Sequence, residues 1–225
     1  MSRLIYPRLA ASFIVLLFLM IIALFILISF DIIGSAFEKL GFSPTYSIIF
    51  LFLSLLGSHI NIPIKEITSL ETIVSGRVIY FYGFRYVIPQ VEHEPRTLIA
   101  INLGGAVIPL TISLFLVTKV NLFNVILGIT IMTIFIHLMA RPVQGLGIAV
   151  PALMPPLMAA MVALIISPGE AALLAYISGT IGSLIGADLL NLNKIPYLGA
   201  PMASIGGAGT FDGIFLTGII SVLIA

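Results

Sequence analysis

The sequence predicts an all-α polytopic membrane protein with about seven transmembrane helices. Of its 225 residues, 60% are hydrophobic and only 8% are charged, whereas soluble domains are about half apolar and about a quarter charged. Long apolar runs without a charged residue recur along the chain. We therefore expect a single membrane domain over residues 1–225, with the lipid bilayer as its main surroundings.

The apolar runs mark the candidate spans, because a membrane-crossing helix needs about 20 apolar residues. The first run follows Arg3 and Arg8 and is longer than the apolar core of a cleaved signal peptide, so we expect an uncleaved helix. Glycine and proline interrupt several later runs, which predicts broken or re-entrant segments. The predicted spans are Leu9–Phe30, Pro44–Leu56, Thr97–Val117, Asn121–Leu138, Leu146–Ile166, Gly169–Leu192 and Ala203–Ala225.

The basic residues predict the orientation of the chain, because Lys and Arg are enriched in cytoplasmic loops. If the N-terminus is cytoplasmic and seven spans alternate, only Lys39 and Lys119 lie outside. The other eight Lys and Arg residues then lie on the cytoplasmic side. We therefore expect a multi-pass protein of the cell membrane with a cytoplasmic N-terminus.

The longest polar connection covers residues 57–96. Within it, residues 77–88 are rich in β-branched and aromatic side chains on both sides of Gly83. This pattern predicts a small cytoplasmic β-hairpin at the membrane surface. The hairpin could cap the helix ends, or its edge strand could pair with an extended segment of another chain.

Composition excludes several classes of function. The chain has no cysteine and only three histidines, which excludes disulfides and thiol nucleophiles and argues against a histidine-rich metal site. A net charge of +1 does not provide the concentrated basic surface that nucleic-acid binding needs. We expect no cofactor, no metal and no nucleic-acid partner.

Two carboxylates lie within apolar segments and are candidate catalytic residues. A carboxylate at the centre of a membrane helix costs about 2.5–3.5 kcal/mol on insertion scales, so it indicates function. Asp188 and Asp212 fall within the last two predicted spans, whereas Asp31 directly follows the first span and is expected at the interface. Asn191 lies one turn beyond Asp188 and is expected to support it by a hydrogen bond. The alternative is a structural role, in which each carboxylate separately accepts hydrogen bonds from its own neighbours.

Glycine and proline break the backbone close to these carboxylates. Gly207 and Gly209 precede Asp212, the triplet Pro151-Ala152-Leu153 lies in a proline-rich stretch, and Asn102 opens a Gly-Gly break. Unpaired amides in such segments could hold an extended substrate, or the breaks could be kinks that aid packing. Gly182 and Gly186 form a separate small-residue stripe that predicts close packing against another helix.

The segments Gly186–Leu192 and Ser204–Gly218 resemble a family of prokaryotic membrane proteins of unknown function, a resemblance that implies no activity. The chain also resembles presenilin-like and signal-peptide-peptidase-like intramembrane aspartyl proteases. Those proteases carry one aspartate on each of two adjacent membrane helices, a Gly-x-Gly-Asp motif and a Pro-Ala-Leu motif. The resemblance implies that Asp188 and Asp212 are the catalytic pair and that residues 151–153 correspond to Pro-Ala-Leu.

Three functions remain open from the sequence. Two neighbouring carboxylates cannot both ionise, so the pair would share a proton and suit acid–base hydrolysis of a peptide bond in a membrane-protein or peptide substrate. Carboxylates beside broken helices could equally form the site of an ion- or proton-coupled carrier. The third possibility is a non-catalytic membrane scaffold.

Overall fold

The fold comes from a computed structural model that describes residue 19 and residues 31–69, 78–81, 84–87, 96–145, 147–207 and 213–225. In these residues two helices are long and apolar enough to cross a membrane, Leu122–Met139 and Pro168–Tyr197. A third crossing is reached if Asp31–Lys39 and Pro44–Gly57, which meet at a bend of 113°, form one broken span. The predicted count of seven spans is therefore not confirmed.

Seven α-helices form most of the described chain, and several are shorter than a full span. The helix from Pro168 to Tyr197 is continuous but changes type along its length, with α6 at its centre. One π-helical turn, Leu103–Val107, leads into α3, and a second, Leu184–Asp188, follows α6. The α-helices are α1 Asp31–Lys39, α2 Pro44–Gly57, α3 Ile108–Val117, α4 Leu122–Met139, α5 Met154–Ile166, α6 Ala171–Ser183 and α7 Gly213–Ile224.

In the part of the chain that the structure describes, seven short strands form three small sheets. In the largest sheet the order is β1-β4-β7, with β1 antiparallel and β7 parallel to the central β4. β4 leads directly into the first π-helical turn, and β7 precedes α7 along the chain. The strands are β1 Asn61–Thr68, β2 Val78–Phe81, β3 Phe84–Val87, β4 Arg96–Asn102, β5 Arg141–Val143, β6 Gly147–Ala149 and β7 Met202–Ile205.

The structure changes the start of three predicted spans. Residues 96–102, expected to begin a span at Thr97, form strand β4 because this β-branched, apolar stretch pairs on both sides within the sheet. The span predicted from Leu146 contains strand β6, Gly147–Ala149, before α5 at Met154, and the first residues of the span predicted from Ala203 belong to strand β7. Short apolar stretches of this kind fit strand and helix equally well by pattern alone.

Other sequence predictions agree with the structure. The expected span Asn121–Leu138 is α4, which starts where the Asn121 side chain accepts a hydrogen bond from the Phe123 N–H. The hairpin expected around Gly83 is present as the antiparallel pair β2 and β3. The first predicted span, Leu9–Phe30, lies outside the described residues apart from Leu19, which is helical.

The helices end at two opposite ends of the bundle. At one end, which we call the lysine end, Lys39 Nζ donates to the carbonyls of Val222 and Leu223 near the C-terminus of α7. Lys119 lies at the same end, 4.7 Å from the ring centroid of Phe115. The other end carries the β1-β4-β7 sheet, and we call it the sheet end. α6 runs from the lysine end to the sheet end, and α7 runs back.

Close helix packing depends on the predicted glycine stripe. A Cβ on Gly182 would lie 2.6 Å from Met132 Cβ, and a Cβ on Gly186 would lie 2.6 Å from the Thr133 carbonyl oxygen. Both neighbours belong to α4, so the stripe lets α6 and its π-helical turn approach the α4 backbone. The sequence prediction that Gly182 and Gly186 pack against another helix is confirmed, and that helix is α4.

Candidate functional site

The candidate site is built around Asp188, the last residue of the second π-helical turn. The helix changes here from α-helix to π-helix and then to a 3-10 segment, Leu189–Tyr197. Single π-helical turns within α-helices occur frequently at functional sites. Asp188 is partly buried as a residue, and its carboxylate contacts the main chain directly after β7.

Asp188 is joined to the sheet by a hydrogen bond. The main-chain N–H of Gly206, directly after β7, donates to Asp188 Oδ2 at 2.8 Å. Gly206 has φ of +85°, and a Cβ at this position would lie 2.5 Å from Ala106 Cβ and 2.6 Å from the Ala106 nitrogen. Glycine is therefore required both by conformation and by close approach. The bond is made to Oδ2, one of the two carboxylate oxygens of Asp188.

Asn191 supports the π-helical turn rather than the carboxylate. Its Nδ2 donates to the carbonyls of Gly186 at 3.0 Å and Ala187 at 2.9 Å. His137 Nδ1, on α4, lies 3.3 Å from the same Gly186 carbonyl. A π-helical turn changes the regular carbonyl pairing, so these side chains compensate for it. The direct hydrogen bond to Asp188 that the sequence suggested is replaced by this contact with the backbone.

Asn102 joins two strands to a helix start. It is buried, and its Nδ2 donates to the Ser58 carbonyl at 2.7 Å and to Asn61 Oδ1 at 3.0 Å. Its Oδ1 accepts from the Gly105 N–H at 2.7 Å, which caps the first π-helical turn. Asn61 Oδ1 also accepts from Ser204 Oγ of β7 at 2.6 Å. Asn102 thus helps to fix strand β7, which ends one residue before Gly206.

The other predicted site residues lie near Asp188 or outside the described chain. Val150, directly before Pro151, packs in the same apolar cluster as Ala187, directly before Asp188. Leu153 is 67% exposed, so the triplet Pro151-Ala152-Leu153 sits at the surface beside the second π-helical turn. Gly207 follows the Asp188 contact and has φ of +91°. Asp212 and Gly209 lie outside the described residues.

Contacts between α6 and α7 show which residues of the two helices lie opposite each other near Asp188. A Cβ on Gly218 would lie 2.8 Å from Tyr176 Cε2 and 3.1 Å from Thr180 Oγ1. One turn closer to the sheet end, Leu184 packs with Ile214 and Ala106. The two helices are therefore antiparallel, and the start of α7 lies against the turn that carries Asp188.

Sequence reasoning missed Gly206, Asn61 and His137 as members of this site. Gly206 was visible only as one of several neighbouring glycines, and the pattern does not show which amide meets the carboxylate. Asn61 and His137 are single polar residues in apolar surroundings, and their partners are distant in sequence. Within the described ranges, no group of three His, Asp or Glu side chains could hold a metal ion.

Residues 55–224 match a protein family whose description reads Protein of unknown function (DUF1614). The matched segment contains the β1-β4-β7 sheet, both π-helical turns and helices α3 to α7. No curated protein and no solved structure matches the chain. Because the match covers well over half of the sequence, the chain belongs to the DUF1614 family.

Proposed function

We propose that this protein is an intramembrane aspartyl protease that cleaves membrane-embedded peptide segments, with Asp188 and Asp212 as its carboxylates. The observation that carries the proposal is the position of Asp188. It lies inside an apolar helical protein, where an ionisable side chain is costly unless it has a function. The α6–α7 register supports a partner role for Asp212, because Asp212 directly precedes Gly213, the first residue of α7.

The contacts of Asp188 suggest how it would act. The Gly206 N–H stabilises negative charge on Oδ2, and Oδ1 is then free to take a proton from a water molecule. The activated water attacks the carbonyl carbon of the scissile peptide bond, while a protonated Asp212 donates its proton to the carbonyl oxygen. When the C–N bond of the tetrahedral intermediate breaks, Asp188 gives the proton it took from water to the leaving amine nitrogen, and a hydroxyl of the intermediate returns a proton to Asp212 as the new carboxyl group forms. Gly207, Gly209 and residues 151–153 are the proposed contacts for the substrate backbone.

Cleavage of a labelled single-span peptide by the protein in liposomes tests this function. We expect cleavage by the wild type and its loss in Asp188→Asn and Asp212→Asn, which keep side-chain size but remove the acid. Asp31→Asn is the matched control, because Asp31 is an exposed residue of α1, and this variant should cleave normally. Unchanged cleavage in either Asp188→Asn or Asp212→Asn would contradict the proposal.

An ion- or proton-coupled carrier is the second candidate, and one observation favours it. The helix carrying Asp188 changes from α to π to 3-10 type at the carboxylate, and discontinuous helices form the ion sites of many carriers. In the same liposomes, an intact peptide together with proton or cation flux that Asp188→Asn abolishes would favour this function over proteolysis.

We also propose that the sheet end and the N-terminus face the cytoplasm. Lys39 and Lys119, the two lysines expected outside, both lie at the lysine end, while Arg141 follows α4 at the sheet end. The native chain has no cysteine, so single cysteines report the side without background. A membrane-impermeant maleimide should label Lys119→Cys on intact cells and Arg141→Cys only after permeabilisation; the opposite pattern would reverse the orientation.

A further inference from the structure

Three buried hydroxyls on α6 have no hydrogen-bond partner among the residues that the structure describes. They are Tyr176 OH, Thr180 Oγ1 and Ser183 Oγ, and their residues are 0%, 0% and 4% exposed. The spacing of four and then three residues places them above one another on one helix face. A buried hydroxyl without a partner is costly, so each such atom calls for a polar neighbour.

These hydroxyls differ from others in the same protein. Thr111, Ser113, Thr130 and Ser178 lie within α-helices, and each donates to the carbonyl four residues earlier at 2.7–2.9 Å. That intrahelical bond is the usual way in which Ser and Thr are satisfied in apolar helices. Thr180 and Ser183 lack this bond, which leaves both oxygens free to bind something else.

The second π-helical turn brings Asp188 onto the same face. A π-helical turn contains one more residue than an α-helical turn, so the residues after it are rotated by about 100° relative to an unbroken α-helix. Without this turn, Ala187 would follow Tyr176, Thr180 and Ser183 on their face. With it, Asp188 takes that position, which agrees with its contact with Gly206 on the side where Leu184 meets Ala106 and Ile214.

The neighbouring helix comes close to these hydroxyls. Gly218 of α7 faces Tyr176 and Thr180, and a Cβ at this position would lie 2.8 Å from Tyr176 Cε2 and 3.1 Å from Thr180 Oγ1. A larger residue would therefore collide with the tyrosine ring and crowd the threonine hydroxyl. Glycine brings the α7 main chain to the level of the unpartnered oxygens, and it supplies no polar side chain to them.

We propose that Tyr176, Thr180 and Ser183 bind a short line of water molecules that ends at Asp188. The Cα atoms of the three residues are about 6 Å and then about 4.5 Å apart along the helix axis at 1.5 Å per residue, so their side chains follow one another along a single face and the waters would lie between them. Tyr176 forms the closed end, because it lies in the main apolar core with Ile177 and Ile219. The open end is at the partly exposed Asp188, so the line holds water beside this carboxylate.

This water site does not rest on the proposed proteolysis, because the hydroxyls and the π-helical turn are present whatever the protein does. It is tested without substrate, by X-ray hydroxyl-radical footprinting of the wild type in lipid nanodiscs with mass spectrometry. Ordered water is radiolysed where it is bound, so it oxidises adjacent buried side chains. Met132 is the internal control, because it is also 0% exposed but lies in an apolar cluster on α4.

We expect Tyr176 to be oxidised several-fold faster than Met132, although methionine is the more reactive side chain. Oxidation of Tyr176 at or below the rate of Met132 would show that the interface is dry and would overturn the proposal. Thr180→Val and Ser183→Ala should each lower Tyr176 oxidation several-fold. Ser178→Ala, which removes a hydroxyl already bonded to the Leu174 carbonyl, should leave Tyr176 oxidation unchanged.

The same mass spectra show whether a variant has lost its fold or only its bound water. A variant that unfolds exposes Met132 and raises its oxidation, so only variants with the wild-type Met132 rate are compared. If Thr180→Val and Ser183→Ala keep that rate and leave Tyr176 oxidation unchanged, their hydroxyls do not hold the water, and the proposal fails.

Discussion

The Gly206 N–H donates a hydrogen bond to Asp188 Oδ2 at 2.8 Å, which joins the end of strand β7 to the second π-helical turn. The two residues are 18 positions apart in sequence, and the segment between them includes the 3-10 helix and β7. Any displacement of β7 therefore moves the donor that fixes the carboxylate. The geometry of Asp188 depends as much on the sheet as on its own helix.

Gly206→Ala is expected to destabilise the protein and to displace Asp188. The left-handed backbone and the contact with Ala106 should together cost about 2–4 kcal/mol. Thermal unfolding in detergent measures the loss. Gly34→Ala is the control, because a Cβ at Gly34 meets nothing within 4 Å and alanine favours helix by up to about 1 kcal/mol. Equal stability of the two variants would show that Gly206 is not constrained as described.

Asn102→Ala should cost more than an ordinary helix cap. The change removes the cap to Gly105 and leaves the Ser58 carbonyl buried without its donor, which should cost about 2–4 kcal/mol in total. Asn121→Ala removes the exposed cap of α4 and should cost only about 0.5–1 kcal/mol. Chemical denaturation of both variants provides the comparison, and a smaller loss in Asn102→Ala than in Asn121→Ala would contradict the buried network.

Gly186→Ala should separate α4 from the second π-helical turn. The new methyl group would lie 2.6 Å from the Thr133 carbonyl oxygen and 3.1 Å from the main-chain nitrogen of His137. Both atoms belong to the backbone of α4, which moves less readily than a side chain. We expect a loss of about 1–3 kcal/mol, measured by thermal unfolding.

Gly128→Ala at the same α4–α6 interface is the control for this change. Its nearest neighbours are the Leu174 and Ser178 side chains at 3.1 and 3.2 Å, which can move by a few tenths of an ångström. A smaller effect is therefore expected. If Gly128→Ala is the more harmful variant, rigid backbone contact does not determine the tolerance of this interface.

Much of the helical part of the fold was predictable because it depends on local pattern. The long uncharged run after Asn121 can form only a helix in lipid, and the spacing of Gly182 and Gly186 already indicated a close helix contact. The β2–β3 hairpin followed from β-branched residues on both sides of Gly83. Each of these signals lies within one segment, so no knowledge of distant partners was needed.

The site was less predictable because it depends on contacts between distant segments. The run from Thr97 to Asn102 is apolar enough for a membrane helix, and only pairing with β1 and β7 makes it a strand. The side that Asp188 faces depends on a π-helical turn, which has no distinct sequence pattern. The sequence therefore identified Asp188 as unusual but not the Gly206 N–H as its partner.

Oxidative cross-linking provides a direct test of whether Asp188 and Asp212 meet. The native chain has no cysteine, so the double variant Asp188→Cys with Asp212→Cys contains a single possible pair. A disulfide requires Cα atoms within about 7 Å, and the α6–α7 register leads us to expect efficient cross-linking under mild oxidation, detected by mass spectrometry. Leu184→Cys with Ile214→Cys, whose native residues share a cluster, is the positive control.

Asp188→Cys with Lys39→Cys is the negative control, because Lys39 contacts the carbonyls at the far end of α7. If the cysteines at positions 184 and 214 cross-link but those at positions 188 and 212 do not, the α6–α7 interface is intact and the two carboxylates are apart. Proteolysis by a shared pair would then be excluded on geometry, since acid and base must act on one water and one carbonyl. Cross-linking of both pairs would leave substrate cleavage as the remaining step to measure.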